Sequence, residues 1–166
     1  MTTQSIQGVT LEEVFAALSA KRVPMAPELA GYLALGVAEG LPASNVRVEP
    51  QRVWIGEDGV VHVLIPRGTA VPGDAEADVR GFIGALFEVT GQKTPALVAS
   101  SRKKSGGNLR AFETELVSAL IPVNRSAGKR ALARLAREVA RAGVPLTTVE
   151  ARTTRAPRHT PHRRRT

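Results

Sequence analysis

The chain has 166 residues, carries a net charge of +8 at pH 7 and contains no cysteine. A chain of this length is typical of one domain with a single core. The lack of cysteine excludes disulfides, thiolate metal sites and cysteine nucleophiles, and is typical of a reducing compartment. The N-terminus has no signal-peptide pattern, and no apolar run approaches the roughly 18 residues of a membrane span, so we expect a soluble, cytoplasmic protein.

The charge is concentrated in the second part of the chain. Residues 1–100 carry seven Lys/Arg against eleven Asp/Glu, whereas residues 101–166 carry sixteen against four. The stretch 151–166 contains six arginines, two prolines and no acid. We therefore predict a folded domain over residues 1–148 and a disordered, arginine-rich tail over residues 149–166.

Two amphipathic helices are predicted first. Thr10 and Glu13 form a capping-box pattern, in which each side chain bonds to the backbone amide of the other residue. A second helix begins at Pro27, which is favourable at a first helical position. Apolar residues at helical spacing follow both starts: Leu11, Val14, Phe15 and Leu18 in the first helix, and Leu29, Leu33, Val37 and Leu41 in the second.

A β-hairpin is predicted over residues 52–65, where β-branched and aromatic residues flank the turn Gly56–Gly59. His62 lies in its second strand. A strand histidine without partners at metal or catalytic spacing is more often a cross-strand packing residue than a ligand, and we favour packing.

Three further helices complete the predicted fold. The first opens on Asp78, expected to cap its first amides, and closes on Gly91 in a left-handed conformation. A loop over residues 100–108 leads to a helix over 109–120, and a last helix covers about 127–142. The predicted fold is mainly α with one short β-hairpin. The inward-facing residues of the helix over 109–120 are Leu109, Phe112, Leu116 and Leu120.

The sequence contains one spacing that is found in catalytic sites. Ser100 and Lys103, like Ser101 and Lys104, match the Ser-x-x-Lys spacing of serine acyl enzymes, in which the lysine activates the hydroxyl. The companion Ser-Asp-Asn and Lys-Thr-Gly motifs are absent, and a solvated basic loop is the more economical interpretation. No metal site is predicted.

The order of these segments resembles the C-terminal lobe of the eukaryotic-type Ser/Thr protein kinases of bacteria. A hinge-like start, a long helix, a Pro-x-x hairpin segment, a central helix and a closing helix pair follow one another as in that family. The resemblance implies a protein-kinase C-lobe-like helical domain in bacterial signalling. It is carried by QSIQGVTLEEVFAAL, PMAPELAGYLALGVAEGL, EPQRVWIGEDGVVHVL, DVRGFIGALFEVTGQKTP and ALIPVNRSAGKRALARLA.

The same resemblance implies a degenerate, pseudokinase-like chain. In the register set by Pro50, Arg47 stands at the catalytic aspartate position, Arg52 at the metal-binding asparagine and Ile65 at the remaining magnesium ligand. None of these three positions offers a carboxylate to magnesium. The family's glycine-rich loop, phosphate-binding lysine and activation segment have no counterpart in the sequence. We therefore expect no phosphotransfer and no cofactor.

The basic half suggests contact with an anion. The candidate residues lie in a loop, on one face of the last helix and in the tail, where they could face phosphates. The alternative is a solvated outer helix face, since arginine favours helices and covers apolar neighbours with its stem. The candidates are Arg102, Lys103, Lys104, Arg130, Arg134, Arg137, Arg141, Arg155, Arg158, Arg163, Arg164 and Arg165.

Two functions follow from the sequence. The first is a non-catalytic, pseudokinase-like module whose exposed apolar face binds a protein partner or a second copy of itself. The alternative is electrostatic binding of nucleic acid through the basic tail and the last helix. The sequence has only six aromatic residues and no zinc pattern, so such binding would depend on backbone phosphates and weaken with salt.

Overall fold

The structure, a computed structural model, describes the backbone of residues 7–65, 70–91, 93–120 and 124–153, and the side chains of these ranges up to residue 143. Within these ranges the fold consists of six α-helices and a three-stranded sheet, which confirms the predicted mainly α fold with a short hairpin. In chain order the elements are β1 Gly8–Thr10, α1 Leu11–Ser19, α2 Pro27–Gly40, a 3-10 turn Pro50–Arg52, β2 Val53–Gly56, β3 Val61–Val63, α3 Ala75–Thr90, α4 Pro95–Arg102, α5 Leu109–Ala119 and α6 Arg125–Thr153.

The sheet is antiparallel, with β2 in the middle and β1 and β3 at its sides. The predicted hairpin is confirmed as β2 and β3, whereas β1 is a strand that the sequence analysis did not predict. Trp54 pairs with Thr10 on one side and with His62 on the other. His62 is thus half-buried and lies across the strands from Trp54, as expected for a packing residue.

One apolar core lies between the sheet and the helices. The long helix α2 packs against α3, α5, α6 and β3, and α3 packs in turn against α4. The predicted inward residues of α2 and α5 are buried, from Leu29 and Leu33 to Phe112 and Leu116. Among the helices of the described ranges, none combines the length and hydropathy that a membrane crossing requires.

Three helix boundaries can be compared with the predictions. The Thr10–Glu13 capping box is confirmed, with the Thr10 amide donating to Glu13 Oε2 at 2.7 Å and the Glu13 amide to Thr10 Oγ1 at 3.2 Å. Gly91 ends α3 with φ of 69°, as predicted. The prediction that Asp78 caps α3 is wrong, because α3 begins one turn earlier and Asp74 accepts from the Ala77 amide.

The region after α3 also differs from the prediction. Helix α4 occupies residues 95–102, so Ser100 to Arg102 form its last turn rather than a loop. Helix α6 begins at Arg125 and continues to Thr153, which lies within the segment assigned to the tail. The remaining tail residues, including Arg155, Arg158, Arg163, Arg164 and Arg165, lie outside the described residues.

Arg80, on α3, is a buried cation held by two carboxylates. Its Nε and Nη2 donate to Glu76 Oε1 at 3.1 and 2.9 Å, and its Nη1 and Nη2 donate to the two oxygens of Glu115 at 3.1 and 2.8 Å. Nη1 also donates to the Ser100 carbonyl at 2.6 Å. The guanidinium carbon lies 4.3 Å from the centre of the Phe112 ring. These contacts join α3 to α4 and α5.

The same contacts set the protonation of the cluster. Hydrogen bonding to Arg80 lowers the pKa of Glu115 to about 2, although burial acts in the opposite direction. Burial likewise raises the pKa of Glu76, but hydrogen bonds from the Asn108 amide and Arg80 outweigh it, so that this pKa is also lowered. The hydrogen bond to Glu115 raises the pKa of Arg80 despite burial. The three side chains are therefore charged at neutral pH.

We expect the protein to lose stability as the pH falls from about 5 to 2. The pKa of Glu115 is about 2 in the folded protein, against an ordinary value of 4.5. As the pH falls, the unfolded chain therefore binds a proton at Glu115 before the folded protein does. The stabilisation that is fully present above pH 4.5 is lost progressively toward pH 2. The loss amounts to as much as about 3 kcal/mol. Urea unfolding of wild type and Glu115→Gln over this pH range measures it, with Glu12→Gln on the exposed face of α1 as control. Equal pH dependence in wild type and Glu115→Gln would contradict this assignment.

Candidate functional site

The three positions that the kinase resemblance singles out lie together. Arg47, Arg52 and Ile65 line one cavity, although they come from a loop, the 3-10 turn and the segment after β3. The cavity has a volume of about 20 Å³, whereas pockets for small-molecule ligands begin at roughly 300 Å³. The cluster is therefore a surface feature with a shallow centre.

A carboxylate lies between the two arginines. Glu49 Oε2 is 3.1 Å from the Nε of Arg52, and Glu49 Oε1 is 3.9 Å from the Nε of Arg47. The side chains of Arg47, Glu49 and Arg52 are 60, 32 and 40% exposed. Glu49 thus places a carboxylate beside the three motif positions, which carry none themselves. Its two oxygens face guanidinium groups, and the cluster keeps one net positive charge.

Backbone hydrogen bonds fix the two arginines in place. The Arg47 amide donates to the Val71 carbonyl at 2.9 Å, and the Leu64 amide donates to the Arg52 carbonyl at 2.8 Å. The Val48 amide, between Arg47 and Glu49, donates to Oδ2 of Asp78 at 2.8 Å. Asp78 thus anchors this loop to α3, which explains why it does not cap its own helix.

Two apolar side chains border the arginines. Leu64 and Val71 are 44 and 54% exposed, and they are the exposed large hydrophobic residues within the described ranges. Leu64 is the backbone neighbour of Arg52, and Val71 that of Arg47. We call Arg47, Glu49, Arg52, Leu64 and Val71 the arginine–apolar face. Among the large hydrophobic side chains of the described part, these two are the exposed ones.

The face offers ionic and apolar contacts. Within the described ranges, no group of three or more His, Asp or Glu side chains is arranged to hold a metal ion. Two guanidinium groups present donors in a planar fork that suits carboxylate or phosphate oxygens. The exposed apolar side chains beside them provide area for burial against a partner.

The other predicted cations form two separate groups. Arg102, Lys103 and Lys104 are exposed at the end of α4, and Lys103 Nζ lies 3.5 Å from Glu115. The four predicted α6 arginines are also exposed, on the side opposite the buried Leu132, Leu135 and Val139. Helix α4 packs on α3 and α5, whereas α6 packs on α1, α2, β1 and β2. The α6 stripe consists of Arg130, Arg134, Arg137 and Arg141.

The Ser-x-x-Lys arrangement does not form a nucleophile in this structure. Ser100 is buried, and its Oγ accepts from Arg80 Nη1 at 3.1 Å. Ser101 Oγ donates to the Val98 carbonyl at 2.8 Å. Lys103 is directed to Glu115 rather than to a serine. The structural role of Ser100 in the Arg80 cluster therefore replaces the catalytic interpretation.

Sequence reasoning missed part of the arginine–apolar face. The spacing of Arg47, Glu49 and Arg52 around Pro50 is a signal that could have found Glu49, since a 3-10 turn brings residues three apart onto one side. No comparable signal identifies Leu64 and Val71, whose exposure depends on how the chain after β3 returns to the loop. No protein-family model matches this chain, and neither the curated proteins nor the solved structures contain a match to it.

Proposed function

We propose that this chain is a non-catalytic, pseudokinase-like module that binds a protein partner through the arginine–apolar face. The observation that carries the proposal is the convergence of Arg47, Arg52 and Ile65 on one cavity that exposed Val71 also lines, with exposed Leu64 hydrogen-bonded through its backbone to Arg52. Exposed apolar groups beside a fixed pair of cations are typical of interaction surfaces.

The chemistry of the cluster supports a non-catalytic role. Phosphoryl transfer requires carboxylates that hold magnesium and a base that orients the attacking hydroxyl. Arg47 carries a positive charge where such a base would stand in the proposed register, and Glu49 is occupied by the guanidinium groups of Arg47 and Arg52. The guanidinium groups of Arg47 and Arg52 repel a magnesium ion and compete with it for the carboxylate of Glu49.

The test is capture of a protein that depends on the two apolar residues. Tagged full-length protein is incubated with a nuclease-treated native extract, beside the variant Leu64→Glu/Val71→Glu. We expect a defined protein to be retained by the wild type and to bind at least about tenfold more weakly to the variant, because charge at both positions opposes burial. The control variant Ala96→Glu/Ala99→Glu places the same charges on exposed residues of α4.

Equal retention by the wild type and the Leu64→Glu/Val71→Glu variant would contradict the proposed surface, provided both proteins melt at similar temperatures. The same samples address catalysis, because a ligand that binds the native state raises its melting temperature by mass action. We expect Mg-ATP to leave the melting temperature unchanged, and an ATP-dependent rise would contradict a non-catalytic role.

Nucleic-acid binding remains a second candidate, favoured by the exposure of all four stripe arginines on α6. Local contacts weaken this signal: Arg134 Nε lies 3.0 Å from the carboxylate of Glu138, and Arg137 Nη1 donates to the backbone carbonyl of Glu57 at 3.4 Å. To separate the two functions, the capture is repeated with extract that has not been treated with nuclease, and the retained material is then exposed to nuclease. Material that nuclease releases, and that a variant with the four arginines replaced by glutamine fails to retain, would favour this second function.

A further inference from the structure

The arginine–apolar face is built from two similar pairs. Arg52 and Leu64 are joined by a backbone hydrogen bond of 2.8 Å, and Arg47 and Val71 by one of 2.9 Å. Each exposed apolar residue is therefore joined through its backbone to one of the two arginines, and Val71 also lines the same cavity as Arg47 and Arg52. The Asp78 contact to the intervening Val48 amide holds the loop in this position.

The charge of this face is incompletely balanced. Glu49 approaches Arg52 closely but is 3.9 Å from Arg47, and Arg47 is the most exposed of the three. A guanidinium group has five N–H donors, and the side chain of Arg47 is 60% exposed, so that Arg47 has donors accessible to a partner. An acidic group of a partner can bind it without first breaking the Arg52–Glu49 pair.

The docking chemistry follows from this pairing. We propose that the arginine–apolar face recognises a protein segment in which acidic residues stand next to large apolar residues. The acidic groups bind Arg47 and Arg52, and the apolar side chains pack on Val71 and Leu64. This inference rests on the proposed function and specifies the class of partner.

The experiment uses defined probes and the full-length chain. A fluorescent synthetic peptide of alternating leucine and glutamate is titrated by anisotropy, beside the same peptide with glutamine in place of glutamate. The proteins are the wild type, Arg47→Gln/Arg52→Gln, and the control Arg110→Gln/Arg130→Gln, which removes the same charge from exposed sites on α5 and α6.

We expect the acidic peptide to bind the wild type at least about tenfold more tightly than the glutamine peptide. This preference should disappear in Arg47→Gln/Arg52→Gln, remain in the control variant and shrink as salt is raised. Equal affinity for the two peptides, or an unchanged preference in Arg47→Gln/Arg52→Gln, would overturn the inference. Stronger binding of a single-stranded oligonucleotide than of the acidic peptide, through the same two arginines, would also overturn it.

The capture experiment distinguishes this inference from the function on which it rests. Retention of a protein that needs Leu64 and Val71, but is unchanged by Arg47→Gln/Arg52→Gln, would preserve the proposed function and overturn the acidic-partner inference. Retention that needs the two apolar residues and the two arginines supports both the proposed function and the acidic-partner inference. If no retained protein depends on Leu64 and Val71, the proposed function and this inference are both overturned.

Discussion

Replacing Arg80 by methionine is expected to destabilise the protein by about 3 to 5 kcal/mol, because it leaves the buried carboxylate of Glu76 without its cation and removes two hydrogen bonds from half-buried Glu115. The side chains of Arg80 and Glu76 are 5 and 4% exposed, so water cannot take over the lost hydrogen bonds. Urea unfolding followed by circular dichroism measures the change in the free energy of unfolding. Arg110→Met is the matched control, because Arg110 also pairs with a glutamate but lies at the surface of α5, and it should cost less than about 1 kcal/mol.

A second comparison tests the cause of this loss. In a background of Glu76→Gln and Glu115→Gln, Arg80→Met leaves no carboxylate without its cation. It should therefore lower the free energy of unfolding clearly less than it does in the wild type. An equal cost in both backgrounds would show that methionine fails for reasons of shape, and would contradict the electrostatic explanation. Interaction energies of this kind are expected where residues share one network.

Gly59→Ala is expected to cost about 2 to 4 kcal/mol through backbone strain and a steric clash. Gly59 has φ of 81°, and a Cβ there would lie 1.9 Å from the backbone carbonyl oxygen of Lys129 on α6. The carbonyl belongs to a helix and cannot turn away as a flexible side chain would. Thermal and urea unfolding should both show the loss.

Gly91→Ala separates the two contributions. Gly91 has φ of 69°, close to that of Gly59, but no described atom lies within 4 Å of a Cβ built on it. This variant should therefore show only the strain of the left-handed conformation, about 1 to 2 kcal/mol. If Gly59→Ala costs no more than Gly91→Ala, the close approach of the hairpin to α6 is not a determinant of stability.

Much of the fold could be predicted from local signals. The Asp-Gly pair identified the hairpin, the capping box identified the start of α1, and the apolar stripe of α2 identified its buried face. Strand β1 was missed because it has three residues and its partner, β2, lies more than forty positions away. Helix α4 was missed because it is short, at eight residues, and has Ser100 and Ser101 in its last turn.

The start of α3 shows a limit of local reasoning. Asp74 and Asp78 are one turn apart, and either carboxylate can cap a helix. The choice depends on Val48, which is distant in sequence and donates to Asp78. The same applies to the candidate site, where the resemblance named Arg47, Arg52 and Ile65 but no pattern placed Leu64 and Val71 beside them. Contacts between distant segments decide both cases.

The packing of α6 has a consequence for synthesis of the chain. Helix α6 packs on β1 and α1, which precede it by more than a hundred residues, and it buries Leu132, Leu135 and Val139. A nascent chain that has reached only α5 therefore lacks the helix that packs on β1 and α1. The packing of β1 and α1 is therefore completed only when a segment more than a hundred residues downstream has been made, and until then the apolar surface that α6 covers is open to non-native contacts.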